Sequence, residues 1–271
     1  MRDAGGAAWH KRIMGFLPRI LTFALALAAA GPVTTARAEP RQMVTETEQA
    51  NWLAVGRLNV SGQGYCTATL IAPDLVMTAA HCVVDRRSGA PVDATRIHFL
   101  AGFRLGGYAA HGRAHSVTVV PGFDRAARDV ARDLALVRLS QPIGNGIRPI
   151  PLGSGVRPDV PLQLVSYGID RSQIASMERG CRYEARSGTI LFTDCEGVPG
   201  VSGAPLLQKI DGHLTAIGVA SAVITPKRGG LARGAVLAVE ATRSRVSLLG
   251  RLPGTPETLA LYSALRATPL N

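Results

Sequence analysis

From residue 52 onward, short apolar runs recur along the chain with turn-forming residues between them. They fall at 53–60, 65–71, 75–78, 96–100, 116–120, 134–139, 162–166, 188–192, 214–220 and 235–239. Some alternate apolar and polar positions, as in Arg96-Ile97-His98-Phe99-Leu100, which is the period of a half-buried strand. Others are apolar almost throughout, as strands buried on both faces are. The breaks are Ala72-Pro73-Asp74, Arg87-Ser88-Gly89, Pro121-Gly122, Gly144-Asn145-Gly146 and Lys227-Arg228-Gly229-Gly230. Strands at this spacing, without an alternation of strand and helix, predict an all-β antiparallel sandwich or barrel. Helix is expected only near the end. Thr255-Pro256-Glu257 supplies an N-cap, a first-turn proline and a first-turn acid. Leu259, Ala260, Leu261, Ala264 and Leu265 then give an apolar face, so the helix is set at about 255–266. The Gly- and Pro-rich stretch 144–161 divides the strands into two groups, about 52–150 and 151–250.

Composition narrows the class. With 46% hydrophobic and 18% charged residues, the 271-residue chain has material for a full core and is not a disordered segment. Its 30 glycines and 17 prolines follow no fixed period, which excludes a collagen-like repeat. The formal charge of +11 is unevenly spread, since residues 1–38 carry +4 of it and the remainder +7. That first segment has a basic start, an apolar stretch at about 20–30 and a small-residue exit at Ala36-Arg37-Ala38. This is the layout of a secretory signal peptide, followed by an N-terminal segment or short propeptide at 39–51. The apolar stretch falls short of the roughly 18 residues that span a bilayer, and no other approaches that length. No stable membrane insertion is expected after cleavage, and the protein is expected outside the cytoplasm, secreted or periplasmic. The basic residues are scattered rather than interleaved with aromatics, so a nucleic-acid partner is not expected.

Four cysteines, Cys66, Cys82, Cys181 and Cys195, form an even set in a chain expected to be exported, where disulfides are favoured. No pair has the short C-x-x-C spacing of a structural zinc site, and neither metal nor organic cofactor is expected. Of three possible connectivities, Cys66–Cys82 with Cys181–Cys195 is the simplest. Each link would contribute about 3 kcal/mol in the chain-entropy view.

Three segments carry the groups that acyl transfer by a serine requires: an imidazole base, a carboxylate to orient it, and a hydroxyl beside backbone donors. The strand Leu75-Val76-Met77-Thr78 runs through Ala79-Ala80 into His81-Cys82. Asp133 heads the apolar strand Leu134-Ala135-Leu136-Val137. Ser202 lies within Gly197-Val198-Pro199-Gly200-Val201-Ser202-Gly203-Ala204-Pro205. Asp129 is a rival acid that no apolar strand follows, and His98, His111, His115 and His213 lack the small-residue turn that precedes His81.

Together these segments resemble the chymotrypsin/trypsin-like serine proteases. Thr78-Ala79-Ala80-His81-Cys82 is similar to that family's histidine motif, and Asp133-Leu134-Ala135-Leu136 to its aspartate strand. Gly200-x-Ser202-Gly203-x-Pro205 is similar to its nucleophile loop, and the order His, Asp, Ser is also the family's. The 16-residue spacing from Cys66 to Cys82 matches the disulfide that ties down the histidine loop. The resemblance covers about residues 52–223. It implies two antiparallel six-stranded β-barrel lobes and a monomeric endopeptidase acting on peptides or proteins. In that scheme His81 is base and acid, Asp133 its orienting carboxylate, Ser202 the nucleophile, and the Gly200 and Ser202 amides the oxyanion hole. Glu196, Ser221, Ala222 and Val223 would border the substrate pocket.

The sequence also departs from the family. Val201 stands where members activated by a new N-terminus keep an acid that pairs with the ammonium, and residues 39–55 hold no Ile-Val-Gly-Gly start. This points toward the bacterial branch that includes glutamyl endopeptidases, although Ala220 replaces the histidine those enzymes carry. Ala204 adds a methyl beside the nucleophile loop. A Glu196-based preference for basic residues competes with a small or apolar pocket. A non-catalytic peptide-binding homologue and an esterase on the same fold are the other readings.

Overall fold

Strand formation follows the alternation of the sequence. In Ile97–Ala101 the side chains of Ile97, Phe99 and Ala101 are buried, while His98 and Leu100 lie between them half exposed. The computed structural model describes residues 40–143, 146–225 and 234–250, all within one compact unit spanning 36–271. The expected leader at 1–38 and the expected helix at 255–266 lie outside the described residues, as do the turn at 227–230 and part of that at 144–146.

The first lobe is a closed six-stranded antiparallel barrel. Its strands are β2 (Val55–Val60), β3 (Gly64–Ala72), β4 (Leu75–Thr78), β5 (Ile97–Ala101), β6 (Ala110–Val119) and β7 (Ala135–Leu139), ordered β2-β3-β4-β7-β6-β5. Leu58, Leu70, Met77, Ile97, Phe99 and Leu136 fill it. Closure leaves no free sheet edge in this lobe.

The second lobe is an eight-stranded antiparallel sheet. It contains β1 (Gln42–Met43), β8 (Leu162–Ser166), β9 (Ser176–Cys181), β10 (Tyr183–Ser187), β11 (Ile190–Gly197), β12 (Pro205–Ile210), β13 (His213–Ile224) and β14 (Gly234–Glu240). The order is β1-β9-β8-β12-β13-β14-β11-β10. Six of these strands, β9 to β11 in that order, correspond to the expected second barrel, but among the described residues no ladder joins β9 to β11. The Cys181–Cys195 disulfide crosses that gap instead, beside a hydrogen bond of 2.7 Å from the Glu196 amide to Glu178 Oε2. The short strands β1 and β10 occupy the outer edges. Strand β1 was unforeseen, because its segment carries no alternating pattern and gains its order from pairing with β9.

One helix is described, α1 (Arg243–Gly250), following β14. It was not anticipated: Thr242 caps it, accepting from the Arg245 amide at 3.3 Å, but Arg243-Ser244-Arg245 carries no first-turn proline or acid like those after Thr255. Val246 and Leu249 bury its inner face.

The second disulfide is Cys66–Cys82, so the pairing is the local one. If the Cys181–Cys195 link clasps the second lobe, the Cys181→Ser, Cys195→Ser double variant should lose about 3 kcal/mol, the chain-entropy value for a loop of this length. A denaturant midpoint within a few tenths of a kcal/mol of wild type would show that it does not.

Candidate active site

His81 is presented by a turn that only small residues allow. Strand β4 ends at Thr78, and Ala79 and Ala80 are fully buried against the barrel. The chain then closes into a 3₁₀ turn, Ala80–Cys82, which the disulfide to Cys66 ties to β3. Arg125 braces the turn from outside by donating to the carbonyls of His81 and Val84. Burial, and then the neighbouring Arg86, push the Arg125 guanidinium below its ordinary pKa.

Asp133 follows the 3₁₀ turn Val130–Arg132 and leads into β7, with only 3% of its surface exposed. A buried carboxylate needs hydrogen-bond donors, and three reach this one. The His81 amide donates to Oδ1 at 2.7 Å. His81 Nδ1 lies 2.6 Å from Oδ2, and the Ser221 hydroxyl donates to the same oxygen at 2.5 Å. With the carboxylate accepting, Nδ1 carries the imidazole proton and Nε2 is left as the acceptor. Asp129, the rival acid, pairs with Arg132 at 2.7 Å.

The loop around Ser202 is shaped by two glycines with positive φ. Gly200 has φ +92°, and a Cβ there would stand 2.5 Å from the Tyr167 carbonyl oxygen. Gly203 has φ +84°, and its Cβ would stand 2.0 Å from the Thr67 oxygen, closer than any side chain permits. Thr67 of β3 knits this loop to the first lobe. Its amide donates to the Ser202 carbonyl at 2.8 Å, and its hydroxyl donates to the Gly200 carbonyl at 3.0 Å while accepting from the Tyr167 amide at 2.9 Å.

The amides of this loop are turned by their own peptide planes. The Pro199 carbonyl accepts from the Ile169 amide at 2.7 Å, and the Val201 carbonyl from the Ala204 amide at 2.9 Å. In a trans peptide the N–H points opposite to the C=O, so the Gly200 and Ser202 N–H groups face away from these anchors. Neither donates to a protein acceptor among the described residues, which leaves two donors in one stretch of backbone. Ser202, Gly200, Pro199, Ile169, Tyr65 and His81 line one cleft of about 340 Å³. Ser202 Oγ and His81 Nε2 share this cleft with no hydrogen bond between them among the described residues. In ligand-free sites such bonds are often loose and tighten around substrate.

The remaining expected site residues divide. Ser221, placed by the sequence on the pocket wall, directs its hydroxyl to Asp133. Val223 packs against Gly197, its Cγ2 2.6 Å from where a Cβ on that glycine would be. Ala222 lies beside it on β13. Glu196 Oε1 lies 3.8 Å from Nη2 of Arg41, whose side chain is 1% exposed. Val201 is buried in an apolar cluster with Val198, Cys181 and Cys195, so no acid stands at that position. Ala204 belongs to the same cluster and does not line the cleft, so its extra methyl is absorbed by the core. Cys66, His81 and Cys82 bring two sulfurs and an imidazole within 4.8 Å, but both sulfurs are joined in the disulfide and are not thiolates.

Sequence reasoning missed Thr67, Arg125 and the part taken by Ser221. Thr67 shows no signal beyond following Cys66, because its function depends on what β3 faces across the lobes.

An all-β domain with a closed six-stranded barrel, a second sheet and this His–Asp–Ser grouping beside a glycine-shaped loop defines the class of chymotrypsin-like domains. The chain belongs to the trypsin-like peptidase domain family, which matches residues 66–217. It is distantly similar to the "Cercarial protease" of Schistosoma mansoni, 28% identical over 194 residues, covering 59% of this chain and 71% of that protein. Human "Serine protease 56" is 36% identical over 103 residues, 37% of this chain and 16% of that protein. The "Modular serine protease" of Drosophila melanogaster is 30% identical over 93 residues, 31% of this chain and 15% of that protein.

Burial, with the nearby Glu196 and Asp194 adding to it, pushes the Glu178 carboxyl up to about 7 against the lowering effects of the Glu196 amide and Arg41. Its unfolded value is near 4.5, so between about 4.5 and 7 the native state holds a proton that the unfolded chain has lost. Stability from this group is present below that window and declines as pH rises through it. Glu178→Gln keeps a carbonyl acceptor for the Glu196 amide and removes the titration. Its melting temperature should therefore gain on wild type between pH 5 and pH 8. Parallel melting curves across that range would contradict this.

Proposed function

We propose that the chain is an exported serine endopeptidase that hydrolyses peptide bonds through a Ser202–His81–Asp133 triad. The observation that carries this reading is His81, its Nδ1 bonded to the Asp133 carboxylate, lining the same cleft as Ser202 and Gly200, whose amides donate to no protein acceptor among the described residues. In the reaction His81 Nε2 accepts the Ser202 Oγ proton as the oxygen attacks the substrate carbonyl. The Gly200 and Ser202 amides stabilise the oxyanion as it forms. The imidazolium, held by Asp133, protonates the leaving amine, and an acyl-enzyme remains on Ser202. Water then enters, His81 takes its proton, and the second tetrahedral intermediate returns the serine.

Export through a leader at 1–38 to a secreted or periplasmic location fits the two disulfides. In this reading the protease domain runs over 52–271, preceded by the segment 39–51, and acts as a monomer on peptide or protein substrates. The apolar setting of Val201 supports a member that does not form the N-terminal ammonium pair at that position, in line with the bacterial glutamyl endopeptidase-like branch. Because Glu196 is engaged by Arg41, and Val223 closes over Gly197, the geometry favours a small or apolar side chain before the cleaved bond over a basic one.

Labelling with a fluorophosphonate tests the triad directly. The wild type should be labelled near stoichiometrically and should cleave peptide libraries, while Ser202→Ala and His81→Ala should each lose about 10⁴-fold or more in kcat. A folded, oxidised wild type that is neither labelled nor active would instead indicate a binding homologue. Turnover of esters without amides would indicate an esterase.

A further inference from the structure

We propose that Arg41 is a positioning residue for the oxyanion donor Gly200, so that the first stretch of chain beyond the expected leader completes the active site. This rests on the protease reading above. Strand β1 adds to the outer edge of the second lobe, with Gln42 opposite Met177, Met43 opposite Ser176, and the Val44 amide donating to the Ala175 carbonyl at 2.8 Å. That edge pairing fixes the backbone, and the Arg41 side chain turns inward beneath the nucleophile loop. Its Nη2 lies 2.5 Å from Asp170 Oδ2 and 3.8 Å from Glu196 Oε1. Its Nε and Nη1 make no hydrogen bond among the described residues. The guanidinium is therefore held as a buried charge between two acids rather than as a fully bonded donor, a costly arrangement if it served only to attach β1.

What the charge holds is the chain beside the oxyanion loop. Asp170 belongs to the 3₁₀ turn Ile169–Arg171, and the Ile169 amide is the donor that anchors the Pro199 carbonyl. The Pro199 carbonyl and the Gly200 N–H belong to one peptide unit, so anchoring the oxygen aims the N–H the other way, toward the cleft. Arg41 also packs against the backbone between these groups. A Cβ on Gly168 would meet Arg41 Nη1 at 2.4 Å and Val198 Cγ2 at 2.6 Å. Arg171 returns the contact, its Nη1 donating to the Arg41 carbonyl at 2.5 Å. On the other side Glu196, six residues before Ser202, is the second acid on the same guanidinium. Arg41 thus ties together the two strands of chain, 168–171 and 196–200, whose contact orients the Gly200 amide. Removing the charge frees the 169–171 turn from 196–200, and the Pro199–Gly200 peptide loses the donor that sets its direction. Processing at any bond beyond Arg41 would have the same effect, which makes segment 39–51 part of the working enzyme.

The test compares full-length wild type with Arg41→Met, which keeps the length without the charge, and Arg41→Lys, which keeps the charge. Expected for Arg41→Met is a kcat on peptide amides lower by about 10-fold to 100-fold, less than the 10²–10³ cost of deleting an oxyanion donor outright. KM should change by no more than about 3-fold, the pattern of an interaction made in the transition state. Arg41→Lys should recover most of the kcat. Hydrogen exchange should rise in 167–173 and 196–203 of Arg41→Met and stay unchanged in the first-lobe barrel. Wild-type kcat in a folded Arg41→Met, or exchange rising equally in both lobes, would overturn the proposal. If the wild type itself is neither labelled nor active, the protease reading fails. The exchange comparison on the same proteins still decides whether Arg41 holds the loop.

Discussion

The buried carboxylate of Asp133 is the constraint on which the arrangement of this molecule turns. It sits at the head of β7 with almost no access to water, and its charge is balanced by donors from both lobes. Two come from His81 in the first lobe and one from Ser221 on β13 in the second. A carboxylate so placed would be strongly destabilising with any of them missing. The same three bonds set the imidazole's tautomer and plane and hold β13 against the barrel. Stability of the interface and readiness of the base are one requirement here.

The nucleophile loop is built by the same economy of means. Its backbone has no regular structure of its own, so its direction comes from neighbours: Thr67 and Thr78 from the first lobe, Tyr167 and Ile169 from the second. Gly200 and Gly203 let these neighbours approach to distances that a side chain would block. The Gly200 and Ser202 amides, left without a protein acceptor among the described residues once the carbonyls of Val198, Pro199, Gly200, Val201 and Ser202 are anchored, are the ones a developing oxyanion would need. An oxyanion site of this kind needs no reorganisation during reaction, because its donors are fixed before substrate arrives.

The sequence made the first lobe legible because each barrel strand announces itself by period and is bounded by turns. Leu75–Thr78 and the start of the strand after Asp133 were visible almost residue by residue, and with them His81 and Asp133. Ser202 was legible through its glycines, whose spacing reflects the positive φ values the loop requires. Strands β9, β10 and β12 were not foreseen. Ser176–Cys181 and Tyr183–Ser187 carry charges within them, and Pro205 disguises the start of β12. Their strand character comes from pairing partners far along the chain. The contributions of Thr67, Ser221 and Arg41 were illegible for the same reason. Each is an ordinary residue locally and gains its place only when the lobes and the edge strand come together.

The most direct test of the central claim is a crystal structure of the phosphonate adduct. The account expects phosphorus bonded to Ser202 Oγ, with one phosphoryl oxygen about 2.7–3.1 Å from both the Gly200 and Ser202 nitrogens. It also expects His81 to keep both of its bonds to Asp133. An adduct on another residue, or a Pro199–Gly200 peptide turned so that its oxygen faces the phosphonate, would contradict it.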